Sequence, residues 1–399
     1  MKLKLKPYFI FFIFCISCST KEEIKVEPIL LEAEYSNSTS LPLKVTTVNI
    51  PDFQIQDFEV LTDDQFLTIG SSWTAKSNED YCLSKINILG DVQWKHTVVK
   101  NGHDQGRFLT KEKDGHYLAG GFVFDSKQNK EIYFQKLNDE KIIWDKEYHL
   151  GLGVSDEAYN AKLLSNGDYL IMGYTKSNID GFLLRTNNKG KTKAKLKSGG
   201  DHKDYIFDAV EMANGGILAV GSWGGYHDAT GNDFTVPSAD IYIVKTDAQL
   251  NELWTKQIDN GAHDFAKRII ATNNGEYYVF GSSQRNSSFG FDMYLAKINT
   301  DGEVLWDKYY GDLSWDYGED IIVHEDRLIL LGTSDEESSR IKVITTDLNG
   351  ETLDQVTIKS QSDLESKSIQ YSDNKIYVSG NVIGDQNTRK GFIVQFPNL

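Results

Sequence analysis

Residues 264–306 read DFAKRIIATNNGEYYVFGSSQRNSSFGFDMYLAKINTDGEVLW. The Asn274-Gly275 dipeptide separates two runs rich in β-branched and aromatic residues, and such a dipeptide closes a tight hairpin because both residues tolerate positive φ. A third run, 293–297, follows, and the Asp301-Gly302 turn leads to a fourth run that carries Trp306. The stretch has no helical periodicity. It therefore predicts four consecutive antiparallel strands, which we name a to d.

The same pattern occurs seven times between residues 53 and 399. Strand b ends on a glycine in each unit: Gly70, Gly121, Gly173, Gly221, Gly281, Gly332 and Gly380. Successive glycines are 51, 52, 48, 60, 51 and 48 residues apart. This period is too long for ankyrin or tetratricopeptide repeats and suits a four-stranded propeller blade. The sequence therefore predicts an all-β fold, a seven-bladed β-propeller of four-stranded antiparallel blades.

The last unit lacks a fourth strand of its own. It ends at Leu399, directly after its third strand, so the missing strand has to come from another part of the chain. Residues 43–50, LKVTTVNI, are strand-like and precede the first unit. We predict that they complete the last blade and cover its edge with backbone hydrogen bonds. Residues 43–399 would then form a single propeller domain.

The unit resembles the repeat of a secreted bacterial seven-bladed β-propeller family, whose pattern is Asp-x-Ala, Asp-Gly-Gly-Tyr, Gly, Asp-x-Tyr-Leu-x-Lys and Gly-x-x-x-Trp. Unit 5 matches it at Asp264, Ala266, Asn274-Gly275, Tyr277, Gly281, Asp292, Tyr294, Lys297, Gly302 and Trp306. The resemblance covers about residues 53–399. Units 3, 6 and 7 lack the tryptophan, and Thr345 and Gln395 replace the lysine in units 6 and 7. The resemblance implies the propeller fold and an exported location, and it assigns no reaction.

The N-terminal segment has the order of a bacterial lipoprotein signal peptide. Lysines precede the apolar run 8–14, which is too short to span a bilayer, and small residues then lead to Cys18. Residues 15–18, CISC, resemble a lipobox, with Cys15 where leucine is commoner. We therefore expect residues 1–17 to be removed, Cys18 to carry the lipid, and residues 18–42 to form a flexible tether.

Sequence features also suggest a location and exclude one class of partner. Residues 19–23, STKEE, resemble the export signal of surface lipoproteins in the Bacteroidota. This predicts attachment to outer-membrane lipid, on the periplasmic or the extracellular side, with the extracellular side favoured. The net charge of −16 repels phosphate backbones, so we expect no nucleic-acid partner. Cys15, Cys18 and Cys82 make no disulfide framework for a chain of 399 residues.

Two residue types recur at fixed places in the unit, and we interpret both as structural. An aspartate stands near the start of strand a in six units: Asp104, Asp156, Asp204, Asp264, Asp316 and Asp363. Its carboxylate can accept backbone N–H groups and tie adjacent blades together. The alternative is a ring of acids at the channel mouth, which would attract a cation. A tryptophan that we expect to pack between blades occupies strand d in four units: Trp94, Trp144, Trp254 and Trp306.

Candidate binding residues fall in the loops that join strand d to the next strand a and strand b to strand c. These loops share one disc face, which we call the top face. They carry Trp73, Trp223 and Trp315, with Tyr226 and His227 in a long insertion of unit 4, and His103, His202 and His263 beside the repeated aspartates. Exposed aromatic side chains stack on sugar rings or anchor a protein partner. The alternative is that the three tryptophans cap the ends of blades.

No catalytic residue, metal site or cofactor is predicted. A histidine and a carboxylate could bind a transition metal or act as base and acid. However, the sequence contains no metal-ligand cassette, phosphate-binding loop or serine-hydrolase elbow. The one alternative cofactor is Ca²⁺, to which Asp228, Asn232 and Asp233 of the insertion offer oxygens.

Three functions stay open. The favoured one is a lipid-anchored binding or scaffold propeller, not an enzyme, that engages an envelope protein or a glycan. The second is a carbohydrate-active lyase or hydrolase that uses top-face carboxylates such as Asp204 and Asp264. The third is a quinone-dependent or membrane-assembly propeller, because residues 299–306 resemble the tryptophan-docking turn of those folds. Seven units rather than eight argue against the third.

Overall fold

A computed structural model describes most of the chain from residue 29 onward. The described residues are 29–36, 44–48, 50, 52–73, 78–100, 102–138, 140–151, 155–176, 180–225, 227–228, 231–232, 238–272, 275–285, 290–311, 314–335, 338–384 and 388–397. Every regular element in these ranges is a β-strand. Accordingly, this part of the chain contains no helix with the length and apolar character that a bilayer crossing needs.

The strands follow the predicted repeat. Two short strands, β1 (Glu32–Tyr35) and β2 (Lys44–Thr47), come first. Blade 1 has β3 (Phe53–Thr62), β4 (Gln65–Trp73), β5 (Glu79–Asn87) and β6 (Val92–Val98). Blade 2 has β7 (Gln105–Lys111), β8 (Tyr117–Phe124), β9 (Lys130–Asn138) and β10 (Lys141–Tyr148). Blade 3 has β11 (Asp156–Leu163), β12 (Tyr169–Thr175), β13 (Asp180–Thr186) and β14 (Thr192–Ser198).

The remaining blades repeat this order. Blade 4 has β15 (Tyr205–Glu211), β16 (Ile217–Trp223), β19 (Asp240–Thr246) and β20 (Glu252–Ile258), and its insertion holds the hairpin β17 (His227–Asp228) and β18 (Gly231–Asn232). Blade 5 has β21 (His263–Ala271), β22 (Tyr277–Gln284), β23 (Asp292–Ile298) and β24 (Val304–Tyr310). Blade 6 has β25 (Trp315–His324), β26 (Arg327–Asp335), β27 (Ser339–Asp347) and β28 (Thr352–Lys359). Blade 7 has β29 (Asp363–Ser372), β30 (Lys375–Ile383) and β31 (Arg389–Pro397).

The blades form a closed ring. Strand a of each blade contacts strand a of the next, and the contact of β29 with β3 joins the last blade to the first. Blade 7 takes its fourth strand from β2, which pairs antiparallel with β31, Lys44 opposite Gln395 and Thr47 opposite Phe392. The predicted seven-bladed fold and its closing strand are therefore confirmed.

One strand lies where the sequence predicted a flexible tether. β1 falls within residues 18–42 and pairs with β28, Glu32 opposite Lys359 and Tyr35 opposite Val356. Ala33 and Tyr35 pack against the apolar core that blades 6 and 7 share. The tether prediction is corrected for these four residues, because an alternation this short is too weak to recognise without its partner strand.

The repeated glycine of strand b lies beneath a bulge in strand a. In every blade, strand a carries one extra residue beside this glycine's pairing position. A Cβ at Gly70 would overlap the carbonyl oxygen of Gln54, and the other six glycines face the equivalent carbonyl in the same way. Only a hydrogen atom fits there, so the residue that marks the repeat in the sequence is the one that permits the bulge.

The strand-d tryptophans pack between blades. The indole of Trp254 reaches the turn between strands c and d of blade 5, where a Cβ at Gly302 would lie 2.7 Å from the ring. The same contact joins Trp144 to Gly190 and Trp306 to Gly350. Trp94 packs on the apolar cluster that blades 1 and 2 share. Free Cys82 is fully buried, as expected for a small core residue.

Thr46 provides a test of the closing strand. The N–H of Val48 donates to the carbonyl oxygen of Gly391 (2.9 Å), and because inward-facing amides alternate along an antiparallel strand, the Thr46 amide also faces β31. We expect Thr46→Pro to lower the free energy of unfolding by roughly 2 kcal/mol or more and to promote aggregation. Thr47→Pro, whose amide faces away, should cost less than half as much in denaturant unfolding.

Thr46→Val is the second control for this experiment. Proline at position 46 also removes the Thr46 hydroxyl, which donates to the carbonyl oxygen of Ile88 (2.9 Å). The valine variant measures the cost of losing that hydrogen bond alone. Equal losses of stability in Thr46→Pro and Thr47→Pro would contradict the pairing.

Gly302 provides a test of tryptophan docking. It has a φ of +72° and faces Trp254, whereas Gly167 has a φ of +80° and open space around its Cβ position. Alanine at either site adopts a left-handed conformation that costs about 1–2 kcal/mol, but only the methyl group at 302 also displaces an indole. We expect Gly302→Ala to lose about 1–3 kcal/mol more than Gly167→Ala in urea denaturation. Equal losses would show that Trp254 does not hold the two blades together.

Candidate functional site

The bulge in strand a gives each blade one residue at the central channel. These residues are Gln56, Arg107, Tyr159, Phe207, Lys267, Glu319 and Lys367. Together with Arg268 they line a narrow cavity of about 70 Å³. We call the seven residues the bulge ring. A group bound at this level could contact residues from all seven blades.

The bulge ring combines charged and aromatic side chains. The guanidinium of Arg107 lies over the ring of Tyr159, 5.6 Å from its centroid, and the ammonium of Lys267 lies 5.1 Å from the centroid of Phe207. Lys267 Nζ is also 4.0 Å from Glu319 Oε2. These cation–π and ionic contacts hold the side chains in defined positions. The ring is therefore an ordered polar constriction of the channel.

The channel is lined by paired acidic and basic side chains below the bulge ring and becomes apolar at the bottom. A section of about 220 Å³ contains the carboxylates of Asp57, Asp208 and Asp320. Each accepts an N–H from strand a of the next blade, with Leu109, Ile269 and Ile369 as donors at 2.8, 3.1 and 3.0 Å. Asp320 Oδ1 also lies 2.9 Å from Arg268 Nε. The bottom section, about 460 Å³, is lined mainly by leucine, isoleucine and valine. The channel acids thus join adjacent blades.

The bulge ring was not predicted from the sequence. Its only signal is spacing, since five ring residues stand three positions after the repeated aspartate, as Arg107 follows Asp104 and Lys267 follows Asp264. Six residue types occupy the seven positions, so no side chain marks the place in the repeat.

The three top-face tryptophans stand at strand ends and not inside loops. Trp73 and Trp223 are the last residues of β4 and β16, and Trp315 is the first residue of β25, so all three lie at the top end of their blades. Trp73 is 43% exposed and packs edge-on against His103, 5.4 Å away. Trp315 is 37% exposed and lies 5.6 Å from Phe291. No contact within the described ranges joins the three indoles, which belong to blades 1, 4 and 6.

The histidines contact blade ends and not one another. His103 Nδ1 accepts the N–H of Glu79 (3.4 Å), and His263 Nδ1 accepts the N–H of Ala239 (3.1 Å). His202 packs edge-on against the blade 4 indole, 4.9 Å away. Among the described residues, these histidines belong to no group that could hold a metal ion.

The insertion of unit 4 leaves its predictions untested. Its hairpin pairs His227 with Asn232 and Asp228 with Gly231. Tyr226 and Asp233 lie outside the described residues. The binding role of Tyr226 and His227, and the alternative calcium site, therefore stay predictions, as does lipidation of Cys18, which also lies outside the described residues.

Five of the six repeated aspartates are fully buried, and Asp363 is exposed. Asp104 Oδ2 accepts the N–H of Lys100 and Oδ1 accepts that of Phe124, both at 2.7 Å. Asp156, Asp204 and Asp264 accept equivalent loop N–H groups from Leu150, Gly200 and Asn260. The N–H of Asp104 donates to the carbonyl oxygen of Glu79 in the preceding blade (2.8 Å). The aspartate thus connects its own blade, the loop before it and the neighbouring blade.

A second acid, near the start of strand c, faces the repeated aspartate at five blade junctions. The pairs are Asp80 with Asp104, Glu131 with Asp156, Asp180 with Asp204, Asp240 with Asp264 and Asp292 with Asp316. Burial, and then the facing acid, raise the pKa of Asp264 to about 7. Asp259 joins the pair between blades 4 and 5, and an oxygen of each of the three acids lies within 4.8 Å of the others. Among the described residues this is the one group placed to hold a metal ion.

The strands and their closed order define the protein as a seven-bladed β-propeller. No protein-family model and no curated protein sequence matches the chain. A Dyadobacter fermentans DSM 18053 protein of unknown function is similar in structure, with a TM-score of 0.48 and 13% identity over 74% of this chain and 94% of that one. The β-propeller domain of the Trilobed protease from Pyrococcus furiosus, which has an open velcro topology, is also similar in structure. Its TM-score is 0.44, with 12% sequence identity over 86% of this chain and 95% of that one.

A puromycin-hydrolyzing peptidase from Mycobacterium tuberculosis gives a TM-score of 0.49 and 9% identity over 86% of this chain and 52% of that chain. At these identities and TM-scores, the similarities carry no argument about function. The resemblance to the secreted repeat family stays a prediction.

Glu59 makes the stability of the fold sensitive to pH. Burial, and then the charge of Asp57 two residues away, raise the pKa of Glu59 to about 8. A carboxyl whose folded pKa exceeds its unfolded value of about 4.3 binds more protons in the folded state. Its contribution to stability is therefore complete below about pH 4 and is lost as the pH rises through 8.

We expect the free energy of unfolding to fall by about 1 kcal/mol or more between pH 6.5 and 8.5. Glu59 Oε1 accepts the N–H of Lys111 (3.0 Å), and Glu59→Gln keeps an acceptor there while removing the proton equilibrium. The variant should show a smaller change over the same range in denaturant unfolding. The same pH slope in both proteins would contradict the assignment.

Proposed function

We propose that the protein is a binding propeller whose top face engages a glycan or a protein partner. The observation that carries this proposal concerns aromatic exposure. Trp73 and Trp315 are the only exposed aromatic side chains among the described residues, and both lie on the top face. Most other exposed large apolar side chains, such as Leu253 and Leu305, lie on the outer strands.

Packing holds both indoles in place. Trp315 contacts Phe291 at 5.6 Å and Tyr317 at 6.1 Å between ring centroids, and Trp73 rests against His103. Rigid aromatic side chains lose little conformational entropy on binding and dominate many recognition surfaces. This arrangement supports a surface that is preformed for a partner.

The alternatives have no comparable support. Asp204 and Asp264, proposed for a carbohydrate-active enzyme, are both 0% exposed, and each accepts a backbone N–H from the loop before it. Carboxylates placed in this way cannot reach a polysaccharide. The turn that resembles those of quinone-dependent and membrane-assembly propellers packs Gly302 against Trp254, which is a contact between blades.

We also propose that the propeller is held at the outer membrane by lipid on Cys18, with the extracellular side favoured. The signal-peptide pattern and the residues after Cys18 support this location. The first described residues, 29–31, lead into β1 at the outer edge of blade 6. A tether that reaches the disc there would attach at its rim and leave the top face accessible to a partner.

Replacing Trp73 and Trp315 together by alanine tests the binding surface. Because buried aromatic anchors each contribute about 2 kcal/mol, we expect the double variant to lose at least about tenfold in affinity for its partner. The assays are a glycan array and a pull-down from native membranes. Leu253→Ala combined with Leu305→Ala removes apolar side chains of similar exposure from strand d and should leave binding unchanged. Wild-type behaviour of the tryptophan variant in both assays would contradict the proposal.

A further inference from the structure

Two of the facing acid pairs are contacted by basic side chains of the protein itself. Between blades 5 and 6, Asp292 Oδ2 lies 2.6 Å from Arg285 Nη2, and Asp316 Oδ1 lies 2.8 Å from Lys342 Nζ. Between blades 2 and 3, His149 pairs with the glutamate that faces the repeated aspartate. Buried carboxylates need such partners, because an uncompensated charge is costly in a medium of low polarity.

The junction of blades 4 and 5 has a third carboxylate beside its acid pair instead of a basic side chain. Asp240 and Asp264 are 8% and 0% exposed, and Asp259 is exposed at the surface. No arginine, lysine or histidine among the described residues forms an ion pair with any of the three. The cluster is thus short of positive charge.

Two buried carboxylate oxygens at this junction, Oδ1 of Asp240 and Oδ1 of Asp264, receive no well-aligned hydrogen bond. The fully buried hydroxyls of Ser283 and Tyr294 are also poorly aligned with the groups beside them, which are the Asp264 carboxyl for Ser283 and the Asn260 amide for Tyr294. Native interiors leave few such atoms unsatisfied, and each has a ligand or another explanation. Oxygens are the ligands that hard divalent cations prefer.

The position of Asp259 in the loop directs its side chain between the two buried acids. Gly199 and Gly311 occupy the same place, five residues before the repeated aspartate, at two other junctions. A Cβ at Gly199 would lie 2.5 Å from Asp204 Oδ2 and 2.8 Å from Asp180 Oδ1. A side chain at this place therefore points into the acid pair. Of these three junctions, only that of blades 4 and 5 has a carboxylate there.

We propose that Asp240, Asp259 and Asp264 bind a divalent cation, and that the cation is Ca²⁺. Calcium–oxygen distances of about 2.3–2.6 Å allow two ligand oxygens to lie up to roughly 5 Å apart, so the three carboxylates reach one ion without rearrangement. Mg²⁺ requires shorter bonds and a stricter octahedron, which this spacing suits less well. The ion joins strand c of blade 4, through Asp240, to strand a of blade 5, through Asp264. It supplies the charge that side chains supply at other junctions.

Calorimetric titration of the chelator-treated full chain with CaCl₂ tests the site. We expect wild-type protein to bind one Ca²⁺ per chain at the cluster and Asp259→Asn to bind it at least about tenfold more weakly, because one of three charged ligands is lost. Asp201→Asn removes an exposed acid from the corresponding loop between blades 3 and 4, and should bind as the wild type does. MgCl₂ should bind the wild type at least about tenfold more weakly than CaCl₂.

Thermal unfolding separates loss of the site from loss of the fold. Asp259 is exposed, so Asp259→Asn should stay folded in chelator, and it should melt no lower than the wild type because it removes a negative charge from beside two other acids. CaCl₂ at one fixed concentration should raise the melting temperature of the wild type and of Asp201→Asn by equal amounts, and that of Asp259→Asn by a clearly smaller amount. A wild-type chain that binds no Ca²⁺ at millimolar concentration overturns the proposal. Binding that Asp259→Asn leaves intact also overturns it and places the ion elsewhere, such as in the unit 4 insertion.

Discussion

The whole ring depends on four residues from one end of the chain pairing with four from the other. Lys44–Thr47 lies antiparallel to residues 392–395, and this pairing gives blade 7 its fourth strand. The blade then packs through β29 on β3 and joins the first blade to the last. Without it, the outer edge of β31 would be uncovered in the blade that packs against the first one. The channel and the top face exist as single surfaces only because the ring is closed.

The repeated glycine of strand b links the constant part of the sequence to the variable part of the site. It accepts the bulge of strand a because it has no Cβ, and the bulge gives each blade one residue at the channel. The glycine cannot change without moving a backbone carbonyl, whereas the bulged residue lines the channel cavity. Because each bulge is paired with this glycine, the seven blades share one backbone arrangement, while the bulged positions carry six different residue types.

Period and turn chemistry were sufficient to predict the blades, and the missing fourth strand was sufficient to locate the closing strand. The sequence did not reveal β1, because four alternating residues give no signal apart from their partner β28. It did not reveal the bulge ring, since its side chains share no chemistry. The sequence did not reveal the cluster of Asp240, Asp259 and Asp264, because its members come from two blades. Only the folded structure places an oxygen of each carboxylate within 4.8 Å of the others. The predicted topology placed Trp73 and Trp315 on the top face, but only the structure shows that their side chains are exposed.

Hydrogen exchange of the closing strand tests the central claim most directly. In the closed ring, the amides of Thr46 and Val48 are donors to β31, and exchange has to wait for the blade to open. The amides of Thr46 and Val48 should therefore exchange on the timescale of the paired amides of β30, in the middle of the same blade, and far more slowly than the amide of Thr47, which faces away from β31. Exchange of the Thr46 and Val48 amides within seconds, beside a protected β30, would contradict a ring that is closed by its N-terminal strand.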